Sequence, residues 1–363
     1  MNEKKNIVIA MSGGVDSSVA AALLVRAGHN VTGMMLKLWS DDCEEGENAC
    51  CPPEAINQAR QVASMIGIPF YVIDARDEFK KFVVDSFIEG YKAGNTPNPC
   101  FICNREVRWG FFLNRILSSG ADYIATGHYA RVENIKGVYR LRKGIDSSKD
   151  QSYVLSGLTQ EKLSHSIFPL GELIKPKVRE MAREFGLPVA EKHDSQDLCF
   201  VGVQGYRGFL KRHTPESLKE GVLRDARGVV VGQHNGLANY TIGQRKGIGA
   251  GYAEPMYVIS KNAETNEIVI GTESELGRGK FSIENVNWIT GNAPAETIHC
   301  EVKIRYKSQY LQAEVHPTSE NSADVVLADQ ARDITPGQIA VLYEGDFVLG
   351  SGIIRPYQTG GAQ

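Results

Sequence analysis

Apolar and polar positions follow two rhythms along this chain. Over roughly the first two hundred residues, short apolar runs alternate with stretches of helical spacing. Ile7-Val8-Ile9 reads as a buried strand, and Ser17 to Ala27 as a helix closed by Gly28 at the C′ position. Asn30 to Trp39 is a second strand, and Pro53 marks a helix start whose apolar positions continue to Ile66. Ile68 to Ile73 is a further strand. Arg76 to Tyr91 is helical, because Phe79, Phe82, Val83, Phe87 and Ile88 share one side. Glu106 to Leu117 follows as a helix and Tyr123 to Thr126 as a strand ending at Gly127-His128. Such alternation predicts an α/β domain built on a doubly wound, mostly parallel sheet, with ligands at the carboxyl ends of its strands.

The rhythm then changes. Residues 206–280 are Gly-rich and short-stranded, and 281–363 alternate cleanly. Val302, Ile304 and Tyr306 face one way there, and Glu301, Lys303 and Arg305 the other; Val341 to Ile353 forms two strands around a Glu344-Gly345-Asp346 turn. The expectation is three domains: 1–205 with the parallel sheet, a small central domain over 206–280, and a C-terminal antiparallel β-barrel over 281–363. A chain of 363 residues has room for two or three. The tail Gly360-Gly361-Ala362-Gln363 is expected to be disordered.

Composition narrows the function classes. With 42% hydrophobic residues the chain can fill such cores. No apolar run approaches the ~18 residues of a membrane span. The first strand begins near residue 6, leaving no room for a secretory or transit peptide, so a cytoplasmic place is expected. The net charge of −3 gives no overall pull on nucleic acid, and any RNA contact must rest on local basic patches. Seven cysteines do not make an even secreted framework. In a reducing compartment they read as catalytic, metal-binding or redox groups.

The first strand runs directly into Ala10-Met11-Ser12-Gly13-Gly14-Val15-Asp16-Ser17-Ser18. The glycines let backbone N–H groups approach a ligand with no Cβ in the way. The serines add hydroxyl donors, and the next helix aims its N-terminus at the same spot. That arrangement binds an anion, most often phosphate. The G-x-G-x-x-G and G-x-x-x-x-G-K-[ST] patterns are both absent. S-G-G-x-D-S instead resembles the pyrophosphatase-type loop of ATP enzymes that adenylate an oxygen.

Cys100 and Cys103 lie in Thr96-Pro97-Asn98-Pro99-Cys100-Phe101-Ile102-Cys103-Asn104, which reads as a proline-stiffened loop just before a helix. A thiol in that position has a lowered pKa. Cys199 stands far off, in His193-Asp194-Ser195-Gln196-Asp197-Leu198-Cys199-Phe200. A lone cysteine is more often a small buried apolar side chain, but C-x-x-C in such a loop points to chemistry. Cys43, Cys50 and Cys51 fall in an acidic segment that reads as a mobile loop, with a second metal or redox site as the other reading; Cys300 reads as structural. His128 either contacts substrate or caps its strand. Lys149-Asp150-Gln151 reads as a solvated turn before a helix at Ser152, and Gly243-Gln244-Arg245-Lys246-Gly247 either holds phosphate or turns a hairpin.

Together these motifs resemble the bacterial tRNA-specific 2-thiouridylases nearly end to end. The likeness runs through Met11 to Ser18, Thr96 to Pro99, Cys103-Asn104, Ala125-Thr126-Gly127-His128-Tyr129-Ala130 and Lys149-Asp150-Gln151-Ser152-Tyr153. It continues through Asp194-Ser195-Gln196, Cys199-Phe200, Tyr240-Thr241-Ile242-Gly243-Gln244-Arg245-Lys246-Gly247 and Ile304-Arg305-Tyr306. The resemblance implies ATP-dependent thiolation of the wobble uridine of tRNA, with Mg²⁺ and a sulfur-donor protein. It implies that Ala10, Met11, Ser12, Gly13, Gly14, Val15, Asp16 and Ser17 bind ATP, flanked by Leu36 and Gly127. Asn98, Pro99 and position 100 would surround the flipped base. Cys103 would be the nucleophile and Cys199 would carry a persulfide, the two closing to a disulfide. His128, Lys149, Asp150, Gln151, Arg305, Tyr306 and Gln338 would contact tRNA. Persulfide-type relatives carry Asp where this chain has Cys100. Cys100, Cys103 and Cys199 therefore raise the alternative of a [4Fe–4S] cluster with one iron open, as in related tRNA thiolases. A different ATP-pyrophosphatase-type ligase, or a non-catalytic nucleotide-binding protein, would need no converging thiols.

Overall fold

The computed structural model describes residues 3–41, 53–193, 198–202, 204–249, 252, 254–332 and 334–356. Cys43, Cys50, Cys51, residues 194–197 and the Gly360–Gln363 tail fall outside them.

Five strands form the first sheet: β1 (Asn6–Ala10), β2 (Asn30–Lys37), β3 (Phe70–Asp74), β4 (Tyr123–Thr126) and β7 (Ser166–Ile167), in the order β3-β2-β1-β4-β7 and all parallel. Helices cover both faces, as a parallel sheet requires. Ile7 and Ile9 of β1 are buried beneath α1 (Val15–Arg26), whose Ala20, Ala21 and Ala22 let it lie close to the sheet. Gly28 follows α1 at φ +87°, the conformation expected of a helix-ending glycine. The helix α2 spans Pro53–Met65, and α3 spans 76–92 with a π segment at Lys80–Val84.

The next helix differs from the expectation. It begins at 99, not 106: α4 covers 99–117, as α over Pro99–Ile102, π over Cys103–Phe112, and α again over Leu113–Leu117. Asn98 caps it, its Oδ1 accepting the Phe101 N–H at 3.1 Å, and Pro99 supplies a preset φ at the first turn. Cys100 and Cys103 are therefore helical residues, not loop residues.

A hairpin unforeseen in the sequence follows β4: β5 (Ala130–Ile135) and β6 (Val138–Lys143). Its two turn residues, Lys136 and Gly137, have φ of +53° and +88°, which matches a primed hairpin turn. The helices that follow include α5 (Ser152–Leu155) and α6 (Lys175–Glu184), and α6 packs on α1. After α7 (Gly205–His213), β8 (Gly221–Asp225), β9 (Val230–His234), β10 (Tyr257–Asn262) and β11 (Glu267–Gly271) form a sheet ordered β10-β11-β8-β9 around Val258, Ile268 and Ile270.

The last six strands close on themselves. They are β12 (Arg278–Trp288), β13 (Ile298–Lys303), β14 (Leu311–Ser319), β15 (Ser322–Ala331), β16 (Ile339–Glu344) and β17 (Phe347–Ile354), antiparallel in the order β12-β15-β14-β13-β16-β17 with β12 pairing back to β17. Closure removes the free edges of an open sheet. Ile283, Val302, Val315, Val325 and Leu342 fill the interior. The β5–β6 hairpin joins this barrel through Phe347 opposite Arg142. No helix among the described residues is long and apolar enough to cross a membrane.

Candidate active site

The strand order reverses between β1 and β4, the position at which doubly wound sheets leave a ligand crevice. Ala10 and Thr126 end their strands opposite each other there. The chain then turns through Ser12-Gly13-Gly14 into α1. Gly13 has φ +70°, and a Cβ on it would lie 2.5 Å from the Ala55 carbonyl oxygen, so conformation and space both demand glycine. Gly127 closes the crevice from the other side: its Cβ would lie 2.7 Å from the Ser17 nitrogen. The Ser12 N–H donates to Ser17 Oγ at 3.1 Å, and Ser18 Oγ donates to the Gly14 carbonyl at 2.8 Å. Met11 and Val15 are buried anchors on either side of the turn, and Leu36 is buried near the carboxyl end of β2.

Two ammonium groups reach this loop from distant sequence. Lys175 Nζ donates to both oxygens of Asp16, at 2.8 and 2.7 Å, and the Tyr129 hydroxyl donates to Oδ1 at 2.7 Å. Lys192 Nζ donates to the Gly13 carbonyl at 3.0 Å and to Gln58 Oε1 at 2.5 Å. Free N–H groups of the α1 N-terminus and two lysines suit a polyphosphate. A divalent ion is another matter. Asp16 is the loop's one carboxylate and both its oxygens already hold Lys175, so it does not present itself as a Mg²⁺ ligand in this arrangement.

The thiols lie on α4. Cys103 is buried at the first π turn, and Cys100 faces solvent one turn earlier. Asn104 donates to the Val154 carbonyl at 3.1 Å and accepts from Arg108 Nη1 at 3.0 Å. Arg108 Nη1 stands 3.4 Å from His128 Nε2, and Thr126 Oγ1 lies 2.7 Å from His128 Nδ1. Burial, with a smaller push from Arg108, lowers His128 to about 3 and keeps the ring neutral. Burial raises Cys103 to about 12 against the pull of Arg108, and raises Cys100 to about 11; water still reaches Cys100, which softens the penalty there. The expected lowering of these thiols is thus reversed, because the cost of desolvating a thiolate exceeds what a single α turn and one guanidinium return.

Cys199 is exposed, and its charge is felt by both other thiols. The expected disulfide is not formed: no S–S bond joins Cys103 to Cys199. Among the described residues no three Cys, His, Asp or Glu side chains stand together as a metal site, so the donors of a [4Fe–4S] cluster at Cys100, Cys103 and Cys199 are not assembled.

The residues expected at the RNA mostly face inward. Asp150 is buried and accepts from the Gly144 and Ser152 N–H groups at 3.0 and 3.1 Å, so the expected solvated turn is a packed one. Lys149 is half-buried beside it. Gln151 Oε1 accepts from the Tyr129 N–H at 3.0 Å. Arg305 lies beyond the end of β13, not on its charged face, and its Nη2 donates to the Ile242 carbonyl at 2.9 Å. Tyr306 is exposed. Gln338 Nε2 donates to the Thr96 carbonyl at 2.8 Å. Lys175, Lys192, Tyr129 and Arg108 were not singled out in the sequence; Pro176, a helix-start residue, was the one local signal near Lys175.

The sheet and its glycine loop define a nucleotide-binding domain of the ATP-pyrophosphatase type, followed by two all-β units. The matching family models are described as a tRNA methyl transferase HUP domain over residues 5–203, a tRNA methyl transferase PRC-barrel domain over 207–272 and an aminomethyltransferase β-barrel domain over 278–354. Curated proteins named tRNA-specific 2-thiouridylase match almost throughout. The one from Clostridioides difficile is 43% identical over 97% of this chain and 98% of its own length. The one from Chloroflexus aurantiacus is 45% identical over 97% and 99%. The chain belongs to the tRNA-specific 2-thiouridylase family.

Proposed function

We propose that this protein thiolates the wobble uridine of tRNA in an ATP-dependent reaction, in the cytoplasm. The observation that carries the reading is the run Thr126-Gly127-His128. Gly127 packs on Asp16 and Ser17 of the phosphate loop, and His128 reaches Arg108 on the helix of Cys100 and Cys103. An activating site and a sulfur site thus share one strand end.

The chemistry fits those groups. The uridine C2 carbonyl is a poor electrophile. Attack of its O2 on the α-phosphorus of ATP releases pyrophosphate and leaves an adenylated uridine. Lys175, Lys192 and the loop N–H groups stabilise the departing pyrophosphate. A donor protein loads Cys199 as a persulfide. Its terminal sulfur attacks C2 and expels AMP. Cys103 then attacks the Cys199 sulfur, releasing 2-thiouridine and forming a disulfide that an external thiol reduces. The base must leave its stack, and Asn98, Pro99 and Cys100 enclose the place it would take. His128, neutral at working pH, serves as a hydrogen-bonding group there and not as a cation. The two-thiol route needs no third ligand, which favours it over the cluster.

Incubation with ATP, Mg²⁺, a persulfide donor and unmodified tRNA is expected to yield AMP, pyrophosphate and 2-thiouridine. Absence of thiolated uridine, aerobically and anaerobically, overturns the reading. An amide-forming ligase would keep full activity in Cys103→Ser.

A further inference from the structure

The joint between the β5–β6 hairpin and the barrel carries a cluster that the proposed chemistry does not use. Lys143 Nζ lies 3.8 Å from the centre of the Tyr310 ring and 4.7 Å from that of Tyr343. Lys303 Nζ, at the end of β13, lies 5.0 Å from Tyr310 and 5.8 Å from Tyr306. Tyr310 stands edge-on against Tyr343, centres 5.3 Å apart. The carboxylates nearby are spoken for. Glu301 sits 3.8 Å from Lys143, and Asp150 is held by Gly144 and Ser152. Lys303 makes no salt bridge among the described residues, although it is half-buried between two rings. A half-buried cation in no close salt bridge, with only the more distant charge of Asp150 acting on it, suits an anionic ligand.

The cluster adjoins the thiols. Tyr306 meets Tyr153 edge-on at 5.9 Å, and α5, which carries Tyr153, packs on the turn of α4 that holds Cys100. Half-exposed aromatic rings interleaved with lysines are the composition that holds unpaired nucleotides, by stacking on the bases and pairing with the backbone.

The geometry points to a second RNA subsite: Tyr310 and Tyr306 form a stacking platform, with Lys303 as its phosphate ligand and Lys143 bracing it, for an unpaired nucleotide next to the uridine held at Cys100. This rests on the tRNA-thiolating reading and adds to it how the neighbouring nucleotide is gripped once the target base leaves the stack. Holding that neighbour prevents the loop from restacking.

The test uses the full chain and a tRNA transcript bearing the wobble uridine, with two further transcripts abasic at the nucleotide before or after it. Tyr310→Leu is expected to weaken transcript binding about tenfold, and Tyr310→Phe to bind as the parent does. Lys303→Gln is expected to weaken binding several-fold and to flatten its salt dependence by about one phosphate contact. One of the abasic transcripts is expected to bind the parent about tenfold more weakly, yet to lose nothing further with Tyr310→Leu. ATP binding stays unchanged throughout. Parent-like binding by both Tyr310→Leu and Lys303→Gln overturns the platform, as does full additivity of the abasic and leucine losses. If Tyr310→Leu does not fold, Lys303→Gln alone decides through its salt slope. A parent that thiolates the intact transcript while these variants behave normally loses only the platform. A parent that neither binds nor thiolates it loses the underlying reading too.

Discussion

The phosphate loop and the thiol site lie at the same end of one sheet but are built in opposite ways. The loop is local: nine consecutive residues supply its glycines, hydroxyls and helix N-terminus, and its two lysines, Tyr129 and Gly127 close on it from elsewhere. The thiol site is assembled from α4, the end of β4 and α5, with Cys199 coming from distant sequence, and its charged groups are set by burial. The first presents helix N–H groups and two lysines to an anion as it stands. The second holds its buried sulfur protonated until something else changes its surroundings. Activation and sulfur delivery should therefore be separable.

Lys175→Ala tests the first half and should have the largest effect. It removes an ammonium seated on both Asp16 oxygens, and AMP formation should fall roughly a hundredfold or more, as when one preorganised charge-stabilising group is removed. Cys103→Ser is its counterpart. Pyrophosphate release should persist while 2-thiouridine disappears. A Cys103→Ser protein that no longer releases pyrophosphate would show the halves to be one machine.

Gly127→Ala strikes the seam between them. The new methyl would come within 2.8 Å of the Asp16 backbone, and that backbone has nowhere to move without unseating the loop. A stability loss of about 1–3 kcal/mol is expected, together with a higher KM for ATP. An unchanged KM would mean that the loop does not depend on the β4 end.

How much was legible in the sequence follows the same division. The loop and the strands around it were readable, because a Gly-Gly turn after an apolar run is a local statement. The thiol helix starts seven residues before its predicted start, because Asn98-Pro99 is a capping pair and Pro97-Asn98-Pro99 also reads as a stiff loop. The β5–β6 turn went unread because Lys136 stands where Asn or Asp usually signals a positive φ. The direction of the thiol shifts was out of reach. It depends on how deeply Cys103 is covered by α5 and by the packing around Trp109 and Phe112, and no spacing encodes that. Arg305 looked like a strand residue by alternation, but β13 ends at Lys303 and the guanidinium turns to the central domain.

His128 sharpens the comparison through pH. The folded protein holds it neutral down to about pH 3, while the unfolded chain protonates it near 6.5. Between those values the unfolded state binds the extra proton. Stability should therefore be intact above pH 6.5 and fall as the pH drops, by up to about 1.4 kcal/mol per unit from this group. Urea unfolding of the parent and of His128→Gln at pH 7.5, 6 and 5 should show a shallower slope for the variant. Equal slopes would mean that His128 is not held neutral.

The smallest effect is expected at Gln338, and it separates two roles. The resemblance places Gln338 at the RNA, but its amide donates to the Thr96 and Pro97 carbonyls just ahead of the capped start of α4. The barrel thereby fixes the approach to Asn98, Pro99 and Cys100. A net hydrogen bond of this kind is worth about 1 kcal/mol, so Gln338→Ala should slow thiolation about fivefold. If Gln338 is a positioning residue, the loss appears in single-turnover thiolation at saturating tRNA, with tRNA affinity unchanged. Gln338→Glu, which sets a carboxylate against two carbonyls, should then be worse than Ala. If Gln338 is an RNA contact, the order of readouts reverses: affinity falls and the saturated rate is kept. The second pattern would mean that the amide leaves Thr96 when RNA arrives, and that the thiol helix is held without help from the barrel.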